Sequence, residues 1–260
     1  MSMPYADVGV KLYYEEHGRG KPIVLLSWIL GGVEDWRPQI EWYAGFRAVA
    51  VELRGQGRSG KPRESYSIER HCRDLEALAA ELELRDPILI GVGYGGAVAL
   101  LYAARNPVRG VVAACSACRA DRPLKARVDR WIMAARFRSG RYLFQAVYPD
   151  IYSDSFLESS WSRVEAEALR YERIDFDAFL ELAKSFRALD ISGELPGIEA
   201  PVLVAAAEED KLLPVRYSRQ IAELIPSSRL EVLGGVGHLA HIENPSLFSK
   251  LALKFMREVS

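Results

Sequence analysis

Asp86-Pro-Ile-Leu-Ile-Gly91-Val-Gly93-Tyr-Gly95-Gly96 is the stretch whose reading decides the fold. Its first half is a short apolar run of strand length. Residues 95–105 then read as a small-residue helix, stopped by Asn106-Pro107. The small residues at 91, 95 and 96 let the turn run tight and the helix pack close to the strand. Gly91-x-Gly93-x-Gly95-Gly96 is also a loose glycine-rich loop. It lacks the spacing of a dinucleotide fingerprint and sits on a late strand, so it is a weak sign of a nucleotide site.

The alternation of strand and helix extends outward from this turn. Residues 10–17, 22–27 and 46–53 read as strands. Residues 67–84 read as a helix with Ser67 at its N-cap and Leu75, Leu78, Ala79 and Leu82 at helical spacing. Strands at 108–115, 201–206 and 229–233 follow, with helices at 214–225 and 245–259. Pro22-Ile-Val-Leu-Leu-Ser27 is apolar without alternation, as in a strand buried on both faces. The fold class is α/β with a mostly parallel sheet and helices on both faces.

Between residues 119 and 190 the alternation stops. This stretch is helical in pattern and rich in Arg, Phe, Tyr and Trp. It reads as a helical cap inserted into a core made of residues 1–118 and 191–260. The cap is split in charge: residues 119–141 hold eight Lys/Arg against two acids, and residues 150–181 nine acids against three Arg. Mutual pairing or solvent exposure is the plainer reading of the basic half; the other is a dock for an acidic acyl carrier. Its aromatics (Trp131, Phe137, Tyr142, Phe144, Tyr148, Trp161, Phe176, Phe179) read mostly as the cap's own core, with a few lining a pocket.

Composition excludes several classes. The 260 residues are 49% apolar and 27% charged, ordinary globular usage. Lys plus Arg is 34 and Asp plus Glu is 35, a net charge of −1, which disfavours a nucleic-acid partner. No apolar run approaches the ~20 residues that span a bilayer. Residues 1–9 lack the basic-then-apolar pattern of a signal peptide. Three cysteines, Cys72, Cys115 and Cys118, are too few for a disulfide framework, so a reducing cytoplasm is the expected compartment. Cys115-Ser-Ala-Cys118, a lone pair without further ligands, reads as packing and not as a zinc or redox site.

Three segments carry a family resemblance. Gly91-Val-Gly-Tyr-Gly-Gly96 resembles the nucleophile elbow of α/β hydrolases, Gly-x-Ser-x-Gly, with Gly93 where the serine stands. Ala207-Glu-Glu-Asp210-Lys-Leu-Leu-Pro214 resembles the segment of the triad acid. Gly234-Gly-Val-Gly-His238-Leu-Ala-His-Ile-Glu-Asn-Pro245 resembles that of the catalytic histidine. The order elbow, acid, histidine is that of the fold. Arg54-Gly-Gln-Gly-Arg-Ser-Gly-Lys-Pro62 looks like the loop after its fourth strand. The resemblance covers the chain outside the cap.

It implies an acyl or ester hydrolase (esterase, thioesterase or lactonase) on a small acyl substrate, which coenzyme A or acyl carrier protein could carry, with no metal or organic cofactor. Asp210 would orient His238, with Glu208 and Glu209 as rival acids. The amides of Ile29 and Tyr94 would form the oxyanion hole. Trp28 would touch substrate. Ser27-Trp28 departs from the family, where His-Gly commonly precedes the oxyanion residue; this narrows the pocket or re-aims the Ile29 amide. Ser27 is a conceivable substitute nucleophile. His241 reads as packing or capping, and His17 and His71 as surface or helix residues.

Gly93 has no side chain to attack with, so the chain is expected to bind substrate and turn over little. Three readings of it stand: an engineered replacement of serine; a natural non-catalytic pseudo-hydrolase, as in the N-myc downstream-regulated family; or a lyase, cyclase or hydrolase that uses only the His238–Asp210 pair.

Overall fold

Eight strands form one sheet, in the order β1-β2-β4-β3-β5-β6-β7-β8. The computed structural model describes residues 4–260. The strands are β1 (Tyr5–Asp7), β2 (Lys11–His17), β3 (Lys21–Leu26), β4 (Phe46–Val51), β5 (Ile88–Val92), β6 (Gly110–Ala114), β7 (Val202–Ala207) and β8 (Ser228–Leu233). From β4 to β8 every pairing is parallel; β2 runs antiparallel to both β4 and β1. β5, β6 and β7 are buried at every residue, as expected of strands covered on both faces. At the edge, β8 buries only Leu233 fully.

The core helices are α1 (Arg37–Ile40), α2 (Ile68–Glu81) and α3 (Tyr94–Arg105), then α8 (Val215–Leu224), α9 (Ala240–Glu243) and α10 (Pro245–Glu258) after the cap. Ser67 caps α2 as the sequence predicts, its Oγ accepting the Arg70 amide at 3.2 Å. β1, the short helix α1 and α9 are additions to the sequence reading. β1 escapes it because three residues with one buried side chain leave no periodic signal.

Residues between β6 and β7 form α4 (Arg122–Arg136), α5 (Gly140–Ile151), α6 (Asp154–Tyr171) and α7 (Phe176–Arg187). Arg119 and Asp190 pair in an antiparallel bridge at the base of this insertion. α4 packs on α5 and α7, and α5 on α6. Two ion pairs join the halves, Arg130 with Asp150 and Arg138 with Asp177 at 2.6 Å, and Arg187 of α7 pairs with Asp129 at 2.6 Å; the other six Lys/Arg of residues 119–141 form no ion pair among the described residues. Two expectations need correction. Phe137, Tyr142 and Trp161 are exposed, not part of the cap's core, whereas Trp131, Phe144 and Phe179 are buried. His71 lies on α2 but is fully buried, because it faces Tyr66 and Tyr94 across the α2–α3 interface.

Candidate active site

β5 ends at Val92, α3 begins at Tyr94, and Gly93 alone makes the turn, at φ +56° and ψ −115°. This region disfavours residues with a Cβ. The turn is fixed from both sides. Gly93 N donates to Ala114 O of β6 at 2.9 Å, and Gly93 O accepts from Ser116 Oγ at 2.8 Å. A Cβ on Gly95 would run into the carbonyls at the end of β3, so only glycine lets α3 start this close to the sheet.

Asp210 follows β7 and His238 follows β8, so adjacent strands deliver them to one place. His238 Nδ1 and Asp210 Oδ2 are 2.9 Å apart, both side chains buried. Asp210 Oδ1 accepts the Leu213 amide at 2.7 Å, which fixes the carboxylate plane. The other ring nitrogen faces the turn: a Cβ built on Gly93 would lie 2.8 Å from His238 Nε2. Glu208 is exposed and accepts from Gly235 N at 3.1 Å, and Glu209 makes no contact with His238. Of the three acids, Asp210 is the one hydrogen-bonded to His238.

Ile29 and Tyr94 are both buried, and no partner exists for either amide among the described residues. Tyr94 N also opens a helix, where the dipole favours negative charge. The Tyr94 hydroxyl reaches Ser185 Oγ of α7 at 2.7 Å and ties the turn to the cap. Ser27 is fully buried and its Oγ donates to Gly32 O at 2.8 Å, so it is committed to a turn and not presented as a nucleophile. Cys115 and Cys118 are free and buried, and burial pushes both thiols up, Cys118 to about 11. Among the described residues no three His, Cys, Asp or Glu side chains gather as metal ligands would. His241 packs against Trp36 and Phe248, with ring centroids 5.1 and 5.9 Å away.

A cavity of about 650 Å³ opens between the core and α6–α7. Trp28, Ile29 and Leu239 are among its lining residues. Trp28 also borders the turn, its Cβ 3.4 Å from the Cβ position of residue 93. Two residues to which the sequence reading gave no role support this arrangement. Gln56 Nε2 donates to Trp28 O at 2.9 Å and Ile29 O at 3.3 Å, holding the strand end that carries the Ile29 amide. Glu243 accepts from Gly237 N at 3.0 Å, from Ser153 N at 2.9 Å and from Ser153 Oγ at 2.6 Å. It thereby clamps the His238 loop to the start of α6. Both lie inside the quoted motif segments, which was the only available signal.

A strand-turn-helix elbow followed by an acid and a histidine on the next strands defines the alpha/beta hydrolase fold, and the chain belongs to that family, whose model matches residues 21–245. It is 30% identical to a protein of Azorhizobium caulinodans named "Putative carbamate hydrolase RutD", over 99% of each chain. It is 27% identical to a non-heme haloperoxidase of Rhodococcus erythropolis, covering 91% of this chain and 93% of that one. Among solved structures it resembles the enol-lactonase of Burkholderia xenovorans LB400, with a TM-score of 0.91 and 26% identity over 98% of this chain and 100% of that one.

Proposed function

We propose that the site is an acyl-transfer centre whose nucleophile position is held by Gly93. One observation carries this reading: Asp210 orients a buried imidazole whose free Nε2 faces residue 93. With a serine there, Nε2 would take the hydroxyl proton as the oxygen attacks an acyl carbon, then return it to the leaving group. The Asp210 carboxylate would stabilise the imidazolium, and the Ile29 and Tyr94 amides would hold the oxyanion. Names of relatives that act on carbamates and enol-lactones fit the same bond class. Esters, thioesters and lactones are the substrate classes proposed. Delivery on coenzyme A or acyl carrier protein would draw on the basic half of the cap, where Arg130 and Arg138 are paired and the other six Lys/Arg form no ion pair among the described residues.

As written, the chain lacks the attacking atom. Loss of the serine costs about a millionfold in a serine protease. The Gly93 protein should bind substrate and release little product. The test is hydrolysis of aryl esters, acyl thioesters and lactones by the Gly93 chain, Gly93→Ser and Gly93→Ser/His238→Ala. Gly93→Ser should raise turnover on the order of 10³–10⁶-fold, and His238→Ala should remove the gain. A folded Gly93→Ser that stays inert across the panel would refute the acyl-transfer reading.

A second reading rests on the 2.8 Å approach of Nε2 to the Cβ position of residue 93. The imidazole stands partly in the space a nucleophile would need. There the His238–Asp210 pair works alone, as a base for water or for a substrate proton. It requires activity in the Gly93 chain that His238→Ala abolishes.

A further inference from the structure

The cavity over Trp28 and Ile29 is unevenly supplied with hydrogen-bonding groups. Five cations line it, yet only Arg58 and Arg170 pair with carboxylates. Arg58 engages Glu34 and Glu52; Arg170 engages Asp35 and Glu167. The fifth acid, Asp175, caps α7 through the Ala178 amide at 3.0 Å. Every lining carboxylate therefore already accepts a donor.

The donors are not similarly used. Both bonds of Arg170 leave from Nη1, at 3.0 Å to Asp35 and 2.9 Å to Glu167, so Nε and Nη2 are uncommitted. The Arg173 side chain, which is exposed, has no carboxylate or hydrogen-bond partner among the described residues. Trp28 Nε1 is buried and likewise unpartnered. The hydroxyls of Tyr152 and Tyr171 find no protein partner among the described residues, and both residues line the cavity. Burial pushes both phenols up, so they remain neutral O–H groups. Of these donors only Trp28 Nε1 is fully buried, where lacking an acceptor costs about 1–3 kcal/mol; the others open toward the cavity and are free to meet a ligand. A ligand that relieves this deficit must bring acceptors, and one facing two guanidinium groups gains most from a carboxylate.

We propose that the cavity recognises a carboxylate at the far end of the substrate's acyl portion, held by Arg170 and Arg173 and flanked by the Tyr152 and Tyr171 hydroxyls. The substrate class is then a monoester, monothioester or lactone of a dicarboxylic acid. The cleaved bond rests on the acyl-transfer reading; the anion subsite does not, because it is tested by binding alone.

The test uses the Gly93 chain, which on the acyl-transfer reading should hold ligand without consuming it, with product release monitored in parallel. Calorimetry compares the monomethyl esters of succinate, glutarate and adipate with their dimethyl esters. At least one monoester should bind tenfold or more tighter than its diester, with a preference that shrinks as salt rises. Arg173→Gln and Tyr171→Phe should each cut that preference several-fold while leaving the melting temperature in place. Arg170→Lys, which keeps the charge beside Asp35, should cut it without unfolding the protein. Equal or tighter binding of the diesters, no saturable binding of any monoester, or a preference that survives all three variants would overturn the proposal. If the preference is found but Gly93→Ser proves inert, the subsite stands and the acyl-transfer reading fails.

Discussion

At residue 93 the backbone and the imidazole make opposite demands. The turn holds φ at +56°, which glycine adopts freely and an L side chain resists. A Cβ there would meet His238 Nε2 at 2.8 Å, so the ring must shift to admit it. Gly93→Ser should therefore lower stability, by about 1–3 kcal/mol for the backbone strain. Gly93→Ala should lower it by a similar amount, since the strain comes from the Cβ and not from the hydroxyl. Thermal denaturation of the three proteins checks this. A melting temperature for Gly93→Ser at or above that of the Gly93 chain would mean the turn is unstrained. With the strain present, serine would restore chemistry at a cost in stability, whereas alanine would incur the cost alone.

Elements differ in how legible they were. The central strands could be read because β5, β6 and β7 are buried on both faces and so are continuously apolar. Asp210 could be read because it follows such a strand, β7, and His238 because its Gly-rich segment follows the edge strand β8 in a known order. The antiparallel course of β2 could not, since strand direction leaves no mark in an apolar pattern. Gln56 and Glu243 could not, because their partners are distant in sequence: Gln56 reaches back to Trp28, and Glu243 reaches Ser153. Glu243 is the sharper case. Its carboxylate accepts three donors from two elements, and Gly237 is glycine because a Cβ there would lie 2.5 Å from Ser153 N. Glu243→Ala would strand those donors at about 1–3 kcal/mol each if they stay dry. In the Gly93→Ser background it should lower kcat about tenfold or more by loosening the His238 loop, about 1.4 kcal/mol of barrier. Glu243→Gln, which keeps an acceptor, should recover part of the loss. If Glu243→Ala melts earlier but keeps full kcat, the clamp supports the fold and not His238.

The whole molecule holds two imidazoles that its folded state keeps neutral. His71 lies between α2 and α3, and His241 sits behind the active-site loop; neither ring has a hydrogen-bond partner among the described residues. Burial, aided by Arg54 near His71 and by His238 near His241, pushes both from the usual 6.5 down to about 3. The unfolded chain protonates both below about pH 6.5, while the folded chain does so only near pH 3. Between these values the unfolded state binds more protons, so stability must fall as pH falls. Between pH 6.5 and 5 the loss should be on the order of 2 kcal/mol for each histidine. Urea unfolding at pH 7, 6 and 5 measures it, and His71→Leu/His241→Phe should show a flatter dependence than the parent. If that double variant folds poorly, the parent still decides the matter by NMR. The His71 and His241 ring resonances should stay at their neutral positions down to pH 5, while the unfolded chain's histidines titrate near 6.5. Titration of either ring near 6 in the folded protein, or an equal loss of stability in the double variant, would mean that acid acts through the carboxylates instead. The distinction bears on assays, because an activity lost at pH 5 through unfolding would otherwise be taken for an effect on the chemical step.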